Sequence, residues 1–154
     1  MATLYLDSSS LVKRYILVVG GVWVSGLTAS TATNLLYVAR ITGVEVVSAI
    51  TRKARSGGIS SADASKALTD FRADFPGSFT VMEVTPVLVS EAMRLAEVHL
   101  LRAYDALRLA AALGLKNERL AEGLSLPTLI SADADLNTAA QAEGLLVDDP
   151  NGHP

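Results

Sequence analysis

Four acidic residues stand at places where a chain of this kind usually turns from strand or loop into helix: Asp7, Glu45, Asp105 and Asp133. They are spaced 38, 60 and 28 residues apart. Asp7 closes the apolar run "TLYLD", Glu45 lies in "ITGVEVVSAI", Asp105 in "YDALRLAAAL", and Asp133 follows "PTLIS". In open parallel sheets ligand sites form at the carboxyl ends of strands, so acids at these positions can meet at one edge. Gathered carboxylates repel one another and acquire raised pKa values when left alone. A hard divalent cation, Mg²⁺ or Mn²⁺, relieves that repulsion, and both ions prefer oxygen ligands. Such a centre suits phosphate chemistry: it polarises a phosphoryl oxygen, activates water and steadies a leaving oxygen.

Each acid also has a plainer reading. Asp7 heads "DSSS" and suits a helix N-terminus. Thr42-x-x-Glu45 has the form of a capping box. That cap turns Glu45 back to the Thr42 N–H, whereas a ligand role points it across the sheet edge at Asp7. Asp105 would complement a helix dipole, although an Asp among apolar neighbours needs a partner. Either Asp133 or Asp135 suits the N-cap of the helix that follows, and Asp133 is preferred as the site acid because it directly follows the strand. Asp148 and Asp149 read as solvated turn acids, His99 as a helix-end residue and His153 as part of a loose tail. Arg52, Lys53 and Arg55 form the best basic cluster, on the helix of Glu45. With Arg40, Arg102 and Arg108 they are the candidates for phosphate contact, which gives affinity but little sequence readout.

The elements that must position these residues follow from pattern. Short apolar runs at 3–7, 34–41, 79–84, 127–131 and 145–149 alternate with helical segments. That alternation predicts an α/β fold with a mostly parallel central sheet. Thr42 is expected to cap a helix that runs to about Arg55. Ser60 or Ser61 opens another, which stops near Pro76-Gly77. Thr85-Pro86 starts a third. Residues 1–150 read as a single domain and 151–154 as a C-terminal tail.

Composition narrows the class. The chain has 154 residues, 50% of them hydrophobic and 19% charged, which fits one globular domain with its own core. A net charge of −3 excludes coating of nucleic acid by bulk charge. With no cysteine there is no disulfide, thiolate metal site or cysteine nucleophile, and this is compatible with a reducing cytoplasm. The uncharged stretch from Tyr15 to Ala39 opens with "YILVVGGVWV", too short an apolar run for a membrane span. It reads as core or as a partner-binding surface.

The segments "LYLDSSSLVKRY", "ITGVEVVSAITRKARSGGIS", "LRAYDALRLAAAL" and "LISADADLNTAAQAEGLLVDDP" together resemble a PIN domain, and within it the VapC-type toxin ribonucleases of toxin–antitoxin pairs. The resemblance runs from about Thr3 to Pro150. It implies a three-layer α/β/α sandwich and an acidic Mg²⁺ or Mn²⁺ pocket that hydrolyses RNA phosphodiesters to 5′-phosphate and 3′-hydroxyl ends. It further implies a homodimer and a VapB-type antitoxin that blocks the pocket. Carried over by motif, Asp7, Glu45, Asp105 and Asp133 match the four metal-binding and catalytic acids. Ser9 and Ser131 match hydroxyl residues that orient them. The chain departs from the pattern where Arg108, which could contact a phosphate or pair with an acid, replaces a common histidine three residues after the third acid, and where the segment after the first helix is unusually apolar. Two other functions fit the residues less well. One is a PIN-like module that binds RNA or protein without cleaving it. The other is an aspartate phosphotransfer domain, which lacks here both a second acid at position 9 and a late lysine.

Overall fold

The structure, a computed structural model, describes all residues from Met1 to Pro154. Five strands form one sheet: β1 (Thr3–Leu6), β2 (Leu35–Ala39), β3 (Thr80–Met82), β4 (Thr128–Ile130) and β5 (Leu146–Asp148). Their order is β3-β2-β1-β4-β5, and every pairing is parallel. Seven helices connect and cover them: α1 (Ser8–Leu11), α2 (Gly21–Thr28), α3 (Arg40–Arg55), α4 (Ser61–Ser78), α5 (Pro86–His99), α6 (Ala103–Ala121) and α7 (Ala134–Ala142).

The two-residue alternation of the strands divides the core in two. Leu4 and Leu6 of β1, Leu36 and Val38 of β2 and Ile130 of β4 face one side, where Val46 and Ile50 of α3 and Phe71 of α4 cover them. Tyr5, Ala39 and Leu129 face the other side and meet Leu95 of α5, Leu109 of α6 and Leu136 of α7. The result is a three-layer α/β/α sandwich. Small residues on α6, from Ala110 to Ala112, are almost wholly buried and let that helix lie close to the sheet.

The order of strands places the site. The chain moves outward from β1 to β2 and β3, then returns to the opposite side of β1 to lay down β4. The carboxyl ends of β1 and β4 therefore flank the point where the winding reverses, the usual position for a ligand crevice. The register is fixed at that edge, where the Asp7 N–H donates to the Ile130 carbonyl at 3.0 Å.

Several sequence expectations are corrected. Thr42 is not a helix cap: α3 already begins at Arg40, with extended Ala39 as its N-cap. The strand runs straight into the helix, and Thr42 is drawn into the interior, where its hydroxyl has no partner. Helix α4 passes through Pro76 to Ser78. Proline removes a single N–H, and the packing of Phe71 against Phe75, with ring centroids 5.3 Å apart, lies on the turn before it. The tail is not loose. Residues 150–152 form a 3₁₀ turn, and His153 stacks on Trp23 with centroids 3.9 Å apart and bonds Asp148 at 2.8 Å. The apolar segment after α1 divides: Trp23 and Leu27 pack on the core, while Leu17 and Val22 are exposed. No helix is long and apolar enough to cross a membrane.

Candidate active site

Asp7 is fully buried and is the N-cap of α1. Its Oδ2 accepts the Ser9 N–H at 3.0 Å and the Ser9 hydroxyl. The same Ser9 Oγ accepts the Ala132 N–H at 3.0 Å, so one hydroxyl ties the turn after β1 to the turn after β4. Ser10 reinforces the join: its hydroxyl reaches the carbonyls of Asp7 and Ile130 at 2.8 and 2.6 Å.

Asp133 is the N-cap of α7, and its Oδ1 accepts the N–H groups of Asp135 and Leu136 at 3.0 and 3.1 Å. Cap and site acid are thus the same residue, with Oδ1 committed to the helix. Ser131 is fully buried; its hydroxyl accepts the Asp133 N–H at 3.1 Å, and its carbonyl accepts from Asn137 at 2.8 Å. Asn137 is a supporting residue that sequence reading missed. The signal available was its position one helical turn past Asp133.

Glu45 and Asp105 arrive from opposite layers. Glu45 lies in the second turn of α3, not in a capping position, and its side chain is 19% exposed. Its Oε1 is buried without a hydrogen-bond donor. Asp105 lies in the first turn of α6, whose start is set by a sharp connection from α5 in which Leu100 adopts a left-handed φ of 55°. Burial holds Glu45 above the usual carboxylate range; Arg108 draws it back, while Asp7 and Asp105 push it up. Burial likewise raises Asp105, with Arg108 opposing and the Asp133 and Asp7 charges adding.

Of the two roles open to Arg108, contact with a phosphate or pairing with an acid, the structure shows the pairing, and in the interior instead of at the surface. Arg108 is buried, 6% exposed, and its guanidinium lies among the acids. Nη1 donates to Asp7 Oδ1 and to the Ser8 hydroxyl, each at 2.5 Å, and stands 3.4 Å from Glu45 Oε2. Nη2 donates to Asp105 Oδ1, and Nε to the Tyr104 carbonyl at 3.2 Å. The physical reason is helix geometry. Residues three apart share a face of α6, so a buried Asp105 brings Arg108 in with it, and buried carboxylates favour a paired cation. Ser8, which accepts one of these bonds, was also not expected. The acids are thus organised around the guanidinium, and no three of them converge at metal-binding distance.

In donor type the residues fit Mg²⁺ or Mn²⁺. The set is oxygen only, and it includes an unpartnered buried oxygen, Glu45 Oε1. Two cavities adjoin the acids, and Asp133 lines both. One, of about 480 Å³, is bordered by Ser8, Ser9, Glu45, Arg52, Tyr104 and Arg108. The other, of about 520 Å³, is bordered by His99, Arg102, Asp105 and Asp135. Of the basic cluster on α3 only Arg52 lines a site cavity; Lys53 packs beneath Gly58, and Arg55 is exposed. Arg40 pairs with Glu83 on the surface. A larger cavity, about 750 Å³, lies elsewhere beside Arg14, Tyr15 and Asp74. Four of its charges are already paired: Arg14 with Asp74 at 3.3 Å and Lys66 with Asp70 at 2.5 Å.

No protein-family model matches the sequence, and no curated protein matches it. Solved structures do match the fold. PAE2754 from Pyrobaculum aerophilum is 24% identical, with 99% of this chain and 94% of that chain covered and a TM-score of 0.62. FitAcB from Neisseria gonorrhoeae is 14% identical over 98% and 99% of the two chains, with a TM-score of 0.60. VapBC2 from Rickettsia felis, solved bound to a DNA fragment from its promoter, is 10% identical over 96% and 98%, with a TM-score of 0.59. At these identities the likeness shows the fold alone, one that this chain shares with PAE2754, FitAcB and VapBC2.

Proposed function

We propose that this VapC-type PIN fold carries a metal-dependent endoribonuclease, the toxin of a VapBC-type pair. The observation that supports it is the gathering of Asp7, Glu45 and Asp105 around the Arg108 guanidinium at the β1–β4 edge, joined through Ser9 to the turn that bears Asp133. Glu45, Asp105 and Asp133 each keep an oxygen without a protein donor, and with Asp7 they would hold Mg²⁺ or Mn²⁺. When bound, the cation supplies Lewis-acid polarisation of a phosphoryl oxygen and lowers the pKa of water. The chain supplies orientation. Ser9 and Ser131 fix the turns that carry Asp7 and Asp133. Arg52 lines the adjoining cavity, where a phosphate of the RNA backbone would lie, and Lys53 and Arg55 add attraction at longer range. The setting is the cytoplasm. The partners are RNA, a VapB-type antitoxin that covers the acidic pocket, and a second copy of the chain.

The test is incubation of RNA with the protein and Mn²⁺, with and without chelator, followed by mapping of ends. Cleavage leaving 5′-phosphates is expected from the wild type. Only the chelated background is expected from Glu45→Gln and Asp133→Asn. No cleavage by the wild type, or equal cleavage by both variants, removes the nuclease reading.

One observation favours a second reading, a PIN-like module that grips RNA or protein without cleaving it: Arg108 already neutralises part of the acid cluster. RNA binding that is indifferent to Mn²⁺ and unaccompanied by cleavage would select it.

A further inference from the structure

We propose that Arg108 is a resident cation of the acidic pocket, which a divalent metal must displace, so that loading the metal moves the guanidinium out toward the substrate cavity. This rests on reading the acids as a cation site. The geometry of the seat carries the argument. One guanidinium takes an oxygen from Asp7 and one from Asp105, lies 3.4 Å from Glu45 Oε2, and uses Ser8 and the Tyr104 carbonyl for its remaining bonds. These are three of the four acids that would hold a metal. A dication among the same oxygens would stand against the arginine charge at close range in a buried setting, where such repulsion is strong.

The exchange keeps a counter-charge among the acids throughout, and the displaced guanidinium has somewhere to go. Leaving Asp7 and Asp105 without a cation is costly, because buried carboxylates stripped of their partner are strongly destabilising. Arg108 therefore stays seated until another cation arrives. A divalent ion brings two charges where arginine brought one, and it also occupies Glu45 Oε1, which the guanidinium leaves without a partner. On departure Arg108 has space beside it: it already borders the 480 Å³ cavity shared with Arg52 and Tyr104. There its planar fork can bond a phosphate. In this account one side chain holds the empty pocket together and becomes a substrate contact once the pocket is filled.

Mn²⁺ titration by calorimetry into the wild type, Arg108→Gln and Arg108→Lys tests the competition. Both variants are expected to bind Mn²⁺ more tightly than the wild type, by about tenfold if the seated state holds nine-tenths of the molecules. Lysine keeps the charge, but its ammonium cannot span Asp7, Ser8 and Asp105 as the fork does. A gain in Arg108→Lys therefore reports on the seat, whereas a gain in Arg108→Gln alone reports only on net charge and overturns the proposal. Unchanged or weaker affinity in both variants overturns it as well, while leaving the metal site standing. No Mn²⁺ binding by any of the three removes the metal site together with the proposal. A measurement on the wild type guards against variants that unfold: the Arg108 Nε–H resonance is followed as Mg²⁺ is added. It is expected to shift in step with saturation as its bond to the Tyr104 carbonyl is lost. A resonance that stays in place at saturating Mg²⁺ overturns the displacement.

Discussion

Asp7 combines structural duties that its three fellow acids carry only singly. It caps α1, receives both the N–H and the hydroxyl of Ser9, and neutralises a buried arginine. Asp7→Ala should therefore cost stability as well as activity, by about 3–5 kcal/mol, since it leaves Arg108 buried without that partner. Urea denaturation measures this, and for that reason Glu45→Gln and Asp133→Asn are the cleaner probes of chemistry. Tyr5 offers the opposite case. Its hydroxyl is buried beneath the acids with no hydrogen-bond partner, and burial raises its pKa. Tyr5→Phe is expected to leave stability unchanged or raise it by about 1 kcal/mol, because an unsatisfied buried hydroxyl disappears. Melting curves of the two proteins decide it. At this scale the four acids were legible because each interrupts an apolar pattern at a strand or helix end. The direction of Arg108 was not legible. Its i, i+3 spacing from Asp105 is visible in the sequence, but the same spacing serves an arginine that reaches outward to solvent.

At the scale of elements, two joints are exposed to test. Gly20 has a φ of +79°, and a Cβ there would run into the Pro150 carbonyl. Gly20→Ala should destabilise by at least the ~1–2 kcal/mol that a left-handed conformation costs an L-residue, read from the urea midpoint. Glu143, just past α7, ties that helix to α5 through His99 at 2.7 Å and Arg94 at 3.3 Å. The His99 hydrogen bond first, and Arg94 next, hold its carboxyl below the ordinary value of 4.5. A lowered folded-state pKa means stability that is present above pH 4.5 and lost as pH falls through the folded value. Glu143→Gln should thus be less stable than the wild type at neutral pH, by under about 1 kcal/mol as for other ion pairs near the surface, and the two should converge in acid. Parallel melts across pH 3–7 would show it. Helix starts with a strong local signal were readable: Thr85 caps α5, with its hydroxyl accepting from Leu88 at 3.2 Å, and Ser60 caps α4. Thr42 misled as a cap because β2 enters α3 directly, and burial of Thr42 and Val46 fixed the helix start ahead of any side-chain cap.

For the whole molecule, alternation of strand and helix foretold the parallel sheet, and the resemblance to PIN domains its three layers. It could not foretell the C-terminal turn, whose contacts join residues far apart in sequence. A cation that binds the folded chain alone must also stabilise the fold as a unit, by about 2.7 kcal/mol at a hundred times its Kd. Mn²⁺ is expected to raise the melting temperature of the wild type, chelator to reverse the rise, and Glu45→Gln to reduce it. The C-terminal turn has a consequence of a different kind. Trp23 is the chain's single tryptophan, and the His153 imidazole lies flat upon it, with an interplanar angle of 3°. A stacked imidazole, above all a protonated one, quenches indole emission. The protein therefore carries its own optical gauge in the first turn of α2, dim while the last residues are docked and brighter when they lift away.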